Sequence, residues 1–320
     1  MNWWDKLAFM LREIALTPDA LNPDVRESCD VWRLVMGQLS QFLKEDGLIR
    51  DLRNGEWMQA MTTGSLHPIA RELLEFAKKE GRMVWAPPQL KDSPDTSEQW
   101  YYEAEASSKA KPLTGIVVGR QTMEGREETV GLTLIEKLNV AKWWLERCNS
   151  VRVARSAAAY QKVLEPIIKH SRSLMFIDPY IDPSVPRYQA FVDLVTKAFR
   201  PKGRPPVRIE IHRAATTGSG RNKEVLTRRA VEEMFLPLVQ ALRKAGMRAE
   251  LFIWDDFHDR HLISNLIGLT LSNGFDIEEK KGSKITFAQI SGAVRDDVIR
   301  EFDANSGEHH LLFEGPIMLG

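Results

Sequence analysis

The stretch WDDFHDRHLISNLIGLTLSNGFD, residues 254–276, decides how the C-terminal half of the chain reads. It closes an apolar strand, Ala249–Trp254. It then continues as a histidine-bearing strand, His258–Ile263, a small polar break, and an apolar strand, Ile267–Leu271, that ends in Ser272-Asn273-Gly274. Alternation along an extended chain puts His258 and Arg260 on one face and Asp259 and His261 on the other. An imidazole beside a fixed cation suits a phosphate ester, with the histidine as nucleophile or acid and the guanidinium clamping the oxyanion. The small residues after the third strand let another group approach the backbone closely.

Upstream of this stretch, strands and helices alternate. Ser173–Ile177 reads as a strand, Gln189–Phe199 as a helix, Val207–Ile211 as a strand and Thr227–Lys244 as a long helix closed by Gly246. Downstream, Ile285–Ile290 reads as a strand and Val294–Phe302 as a helix. This order predicts an α/β fold with a mixed, largely parallel sheet covered by helices, the last strands adding antiparallel pairs. Ligands of such sheets gather outside the carboxyl ends of the parallel strands. Asp178, Tyr180, His212 and Arg213 fall at those ends and join the candidate site, with His212 read as a second proton donor, a phosphate contact or, by preference, a surface histidine. The loop Ala214–Lys223 lacks the spacing of a phosphate-binding P-loop, so it reads as an exposed linker whose Arg221 could reach a backbone phosphate. Asp255, Asp256, His258, Asp259 and His261 have metal-ligand chemistry, but alternation splits them between two faces, so no metal and no cofactor is expected.

His258-Asp259-Arg260, the four residues His261 to Ser264, Asn265, and the later Ser272-Asn273-Gly274 together resemble the phospholipase D-like superfamily. Its motif is His-x-Lys, four residues, Asp, then a Gly/Ser/Asn turn after the next strand. Arg260 stands where the family has lysine and Asn265 where it has aspartate. The His-Asp-Arg form is similar to a variant branch that includes the C-terminal phospholipase D-like domain of microtubule-interacting-and-trafficking proteins and bacterial relatives. The resemblance covers roughly residues 160–305. It implies His258 as nucleophile, with Arg260, Asn273 and Ser272 on the phosphate oxygens and Asn265 at the aspartate position.

The rest of the chain bounds these readings. It has 320 residues, 43% hydrophobic and 28% charged, enough for about two ordinary globular domains. Forty-four basic residues balance 44 acidic ones, so any contact with nucleic acid or anionic lipid must come from a local patch. With Cys29 and Cys148 the only cysteines, and no signal or membrane segment in view, a cytoplasmic location is expected. Residues 1–130 read as a mainly α-helical domain of unknown role. Its helices are expected over 3–16 (Trp4, Leu7, Phe9, Met10, Leu11, Ile14 and Leu16 facing a core), 24–44 and 67–79, with one strand at Gly115–Gly119. Residues 131–170 read as connecting helices and 171–320 as the phospholipase D-like domain.

The expected activity is that of a metal-independent phosphodiesterase, a nuclease acting on DNA or RNA, with anti-phage defence as one setting. The alternative is a catalytically degenerate phospholipase D-like binding module or a structural subunit of a nucleic-acid-processing or defence complex. Family enzymes pair two motif copies and this chain carries one, so an active form is expected to be a homodimer or part of a larger complex.

Overall fold

The computed structural model describes residues 10–22, 29–64, 66–129, 131–200, 205–218, 223–278, 280 and 282–320. Arg221, and Trp4, Leu7 and Phe9 of the expected first helix, lie outside the described residues. The chain divides into two compact units, Met1–Cys148 and Asn149–Gly320. Both are α/β.

The first unit corrects the mainly helical expectation. Its strands are β1 (Arg12–Leu16), β2 (Gly47–Asp51), β3 (Met83–Trp85), β4 (Gly115–Val118) and β5 (Leu132–Leu134), in the order β3-β2-β1-β4-β5. Every pairing is parallel. Helices α1 (Cys29–Glu45), α2 (Glu56–Thr63), α3 (Pro68–Lys79) and α4 (Ser97–Ala110) are the main helices of this unit. The error has a physical cause at β1. Ile14, Ala15 and Leu16 are buried on both faces of a central strand, and such a strand reads as a continuous apolar run instead of an alternating one. Its two charges imitate a helix's polar face yet are satisfied within the unit. Arg12 pairs with Asp46, and Glu13 accepts from Arg50 Nε at 2.6 Å and from Lys111 Nζ at 2.9 Å. In α4 a capping box, Thr96 with Gln99, starts the helix, and Trp100, Glu103, Ala104 and Ser107 form its buried stripe.

The second unit runs β6 (Ser150–Ala154), α5 (Ala157–His170), β7 (Ser173–Ile177), α6 (Gln189–Thr196), β8 (Arg208–Ala214), the short hairpin β9 (Thr216–Thr217) and β10 (Glu224–Val225), α7 (Arg228–Ala245), β11 (Ala249–Trp254), β12 (His261–Ser264), β13 (Gly268–Leu271), β14 (Lys284–Ile290), α8 (Gly292–Glu301) and β15 (Ile317–Leu319). Eight strands make one sheet, β15-β11-β8-β7-β12-β13-β14-β6. Only β7, β8 and β11 pair in parallel, and the other pairings are antiparallel. The sheet is thus mixed with a three-stranded parallel centre, not largely parallel. The unit boundary falls inside the expected connecting helices, and residues 150–154 are a strand. Their alternation of exposed and partly buried residues is that of an edge strand. The motif strand begins at His261 and not at His258, because its ladders to Ile177 of β7 and Thr270 of β13 both start there.

Candidate phosphate-binding site

At the carboxyl end of β7 the chain passes from Ile177 into Asp178-Pro179-Tyr180. The Asp178 carboxylate has no exposure. Its Oδ1 accepts the Tyr180 N–H at 3.0 Å, the side chain-to-backbone turn that stops the strand. Its Oδ2 accepts the Phe275 N–H at 2.9 Å, across a separation of 97 residues. One buried carboxylate therefore fastens the turn after β13 to the end of β7. Burial raises its pKa, outweighing the two N–H donors and Arg260.

Gly274 is required by this carboxylate. A Cβ built there would lie 2.1 Å from Asp178 Oδ2. The small residue in Ser272-Asn273-Gly274 thus makes room for an internal group. Tyr160 fixes the same turn from α5, its hydroxyl 3.0 Å from the Gly274 carbonyl and 3.1 Å from that of Asp276. Asp276 is paired with Arg155 at 2.7 Å, and the half-exposed Arg187 lies 4.0 Å from its other oxygen. Tyr160 and Arg187 were not expected at the site. The Asp-Pro-Tyr strand stop and the Gly274-Phe275-Asp276 turn gave the only signal for them, two segments that had to be held by something.

Arg260 is the cation beside Asp178 and Tyr180. Its Nε is 3.9 Å from Asp178 Oδ1 and its guanidinium carbon lies 5.4 Å from the centre of the Tyr180 ring. It is 29% exposed, and among the described residues its guanidinium donates no hydrogen bond. The backbone is pinned instead, the Arg260 carbonyl accepting the Leu271 N–H at 2.9 Å. His258 is exposed, stands outside the ladder and makes no hydrogen bond or ion pair with a described residue.

The other expected residues separate. Ser272 Oγ accepts the Thr286 N–H at 3.0 Å and Asn273 Nδ2 reaches Ser272 Oγ and the Lys284 carbonyl at 3.5 Å, so both brace β14 beside the Gly274 turn. Asn265 lies past the far end of β12, five residues from Arg260, or roughly 15 Å of extended chain. Its Oδ1 accepts the Arg172 N–H at 2.7 Å, which makes it a cap on the start of β7. Arg213 is buried, donating to the Ile181 carbonyl at 2.8 Å and the Thr216 carbonyl at 3.3 Å; it positions the loop after β7 and is closed to a ligand.

His212 overturns the surface reading. It has no exposure and lies parallel to Phe252, 4.8 Å between ring centres, and to Trp254 at 5.9 Å, with Phe302 edge-on at 5.4 Å. Trp254 Nε1 donates to His212 Nδ1 at 2.9 Å. Indole is a donor only, so Nδ1 carries the lone pair and the proton sits on Nε2, 3.4 Å from Glu210 Oε2. Burial depresses the pKa of this histidine and of His261, keeping both neutral forms favoured. Among the described residues no group of three or more His, Cys, Asp or Glu side chains is placed to hold a metal ion.

No family model matches the chain, and no curated protein matches it. Among solved structures, an archaeal chromatin protein, TrmBL2, described as showing a novel mode of DNA binding, aligns over 76% of this chain and 82% of its own, at 12% identity and a TM-score of 0.30. A similarity at that level defines neither fold nor function. Among the described residues no helix is long and apolar enough to cross a membrane.

Proposed function

We propose that the second unit is a phospholipase D-like domain that binds phosphodiesters of DNA or RNA through Arg260. The observation that carries this is the guanidinium itself. It is held between Asp178 and Tyr180 outside the carboxyl ends of the parallel strands, with all its N–H donors unused by described residues. Asp178 already accepts two backbone N–H groups, so it orients Arg260 at 3.9 Å without consuming its forked donors. Binding ranks above turnover because Asn265 is committed to capping β7, His212 is buried in its aromatic stack, and neither supplies a proton to a leaving group in the cleft.

Anisotropy of a labelled single-stranded oligonucleotide tests the reading. A charge-assisted contact is worth about 1.5–3 kcal/mol, so Arg260→Ala should weaken binding roughly 10- to 100-fold while Arg260→Lys keeps most of it. Affinity should also fall as salt rises. An unchanged Kd in Arg260→Ala would overturn the proposal, and retention by anionic vesicles but not by oligonucleotides would move it to lipid phosphate.

Hydrolysis is the second reading, favoured by one observation: His258 is exposed and two residues from Arg260. It would attack phosphorus in a two-fold dimer whose second cleft provides the acid. Cleavage that survives excess EDTA and disappears in His258→Ala supports it. Cleavage restored only by added magnesium counts against it.

A further inference from the structure

At the opposite end of the same parallel strands, the second unit holds a cavity of about 600 Å³ that the phosphate site does not use. Its walls come from the segment after α6, the amino ends of β8 and β11, and β15. Phe199, Val207, Ile209, Met247 and Met318 supply the apolar surface. Phe199 is 52% exposed and Met318 59%, unusual for large apolar side chains that line one concavity. The volume lies within the range of small-ligand pockets, roughly 300–1,000 Å³.

Among the described residues the charges of the wall are Arg200, Arg208, Arg248 and Glu250, three cations against one anion. They are not equivalent. Arg200 is spent on carbonyls, donating to Ala198 and Phe199 at 2.8 and 3.2 Å and to Ile168 and Ser171 at 2.9 Å each. Arg208 is shared between Glu210 at 2.6 Å and Glu250 at 3.4 Å. Arg248 is exposed and makes no ion pair with a described residue. An apolar wall with one uncommitted guanidinium at its rim complements a molecule with an apolar body and a single anionic head.

From this combination of cavity, exposed apolar lining and unpaired Arg248, we infer that the second unit binds a medium-chain aliphatic carboxylate. The chain lies against Phe199, Met247 and Met318, and the carboxylate meets Arg248. The site is separate from the Arg260 cleft, since β8 runs Arg208–Ala214 between them, on the order of 20 Å. It does not depend on the phosphodiester reading.

The experiment titrates decanoate, below its micelle concentration, into the full chain labelled with ¹³C at the methionine methyls. Met247 and Met318 should shift and saturate while Met58 of the first unit stays still. 1-Decanol should bind at least tenfold more weakly. Arg248→Glu and Arg248→Gln should each weaken decanoate at least tenfold, and Phe199→Asp should abolish the shifts, all with unchanged circular dichroism. Equal affinity for decanol and decanoate, or Met58 moving in step with Met247 and Met318, would show surfactant adsorption and overturn the inference. It would equally fail if the Met318 resonance moved with protein concentration alone and light scattering gave a dimer that Phe199→Asp dissolves, because the cavity would then be filled by a second copy.

Discussion

Gly274→Ala is the sharpest probe of the second unit, because it adds one carbon against one oxygen. Gly274 is not in the left-handed region, so alanine suits the backbone and the perturbation is steric. The new Cβ would lie 2.1 Å from Asp178 Oδ2 and 2.9 Å from its Cγ, so the carboxylate oxygen must retreat by about 1.3 Å or more to reach ordinary contact. That retreat breaks the 2.9 Å bond from the Phe275 N–H. Loss of a bond to a charged acceptor costs about 1.5–3 kcal/mol and an off-rotamer side chain about 0.5–1.5, so the total is about 2–4.5 kcal/mol. Two assays read it. The urea midpoint of the second unit should fall by about 1 M or more, and the Phe275 amide should exchange with solvent far faster. In an Asp178→Ala background the clash is gone, so Gly274→Ala should then cost under about 0.5 kcal/mol. Costs that simply add across the double mutant would refute the reasoning.

Three further outcomes are expected. His258→Ala should leave the urea midpoint within about 0.5 kcal/mol of the parent, since the side chain is exposed and unpartnered among described residues; a larger loss would place it in a packed role. Stability should decline as pH falls below about 6.5: the folded-state pKa values of His212 and His261 are depressed, so the unfolded chain takes up protons first, and His212→Phe should flatten the decline seen by denaturant titration at several pH values. In the first unit, Gly119→Ala puts a Cβ 2.5 Å from the backbone carbon of Asp19 and should destabilise by about 2 kcal/mol or more, whereas Gly37→Ala, on the exposed face of α1, meets nothing within 4 Å and should stabilise by about 0.5–1. Calorimetry of both variants settles the pair.

Much of the second unit was legible because its strands are short, apolar and separated by amphipathic helices. Ser173–Ile177 and Ala249–Trp254 came out residue for residue. What stayed hidden depends on partners distant in sequence. Nothing near His258 shows that the ladder begins three residues later, since that is set by where β7 ends. His212 reads as a strand-end histidine until Phe252, its register partner on β11, and Trp254 are seen to stack on it. Asn265 kept its spacing from Arg260 but gained its role from the Arg172 N–H. In the first unit Arg12 and Arg50 conceal two strands, because a buried arginine is recognised only with the carboxylate that neutralises it.

The order of strands in the eight-stranded sheet also sets a schedule for synthesis. β6 emerges first yet pairs only with β14, more than a hundred residues later, and β11's outer edge waits for β15. At about 5–20 residues per second, the β11 flank of the parallel centre would stand open for several seconds on the ribosome, whereas β12, seven residues after β11, closes the β7 flank almost at once. The open edge of β11 is the backbone of an apolar segment, Leu251, Phe252, Ile253 and Trp254, suited to pairing with a neighbouring nascent chain during that interval. The recovery of folded material should therefore be sensitive to translation speed between the codons for residues 254 and 317.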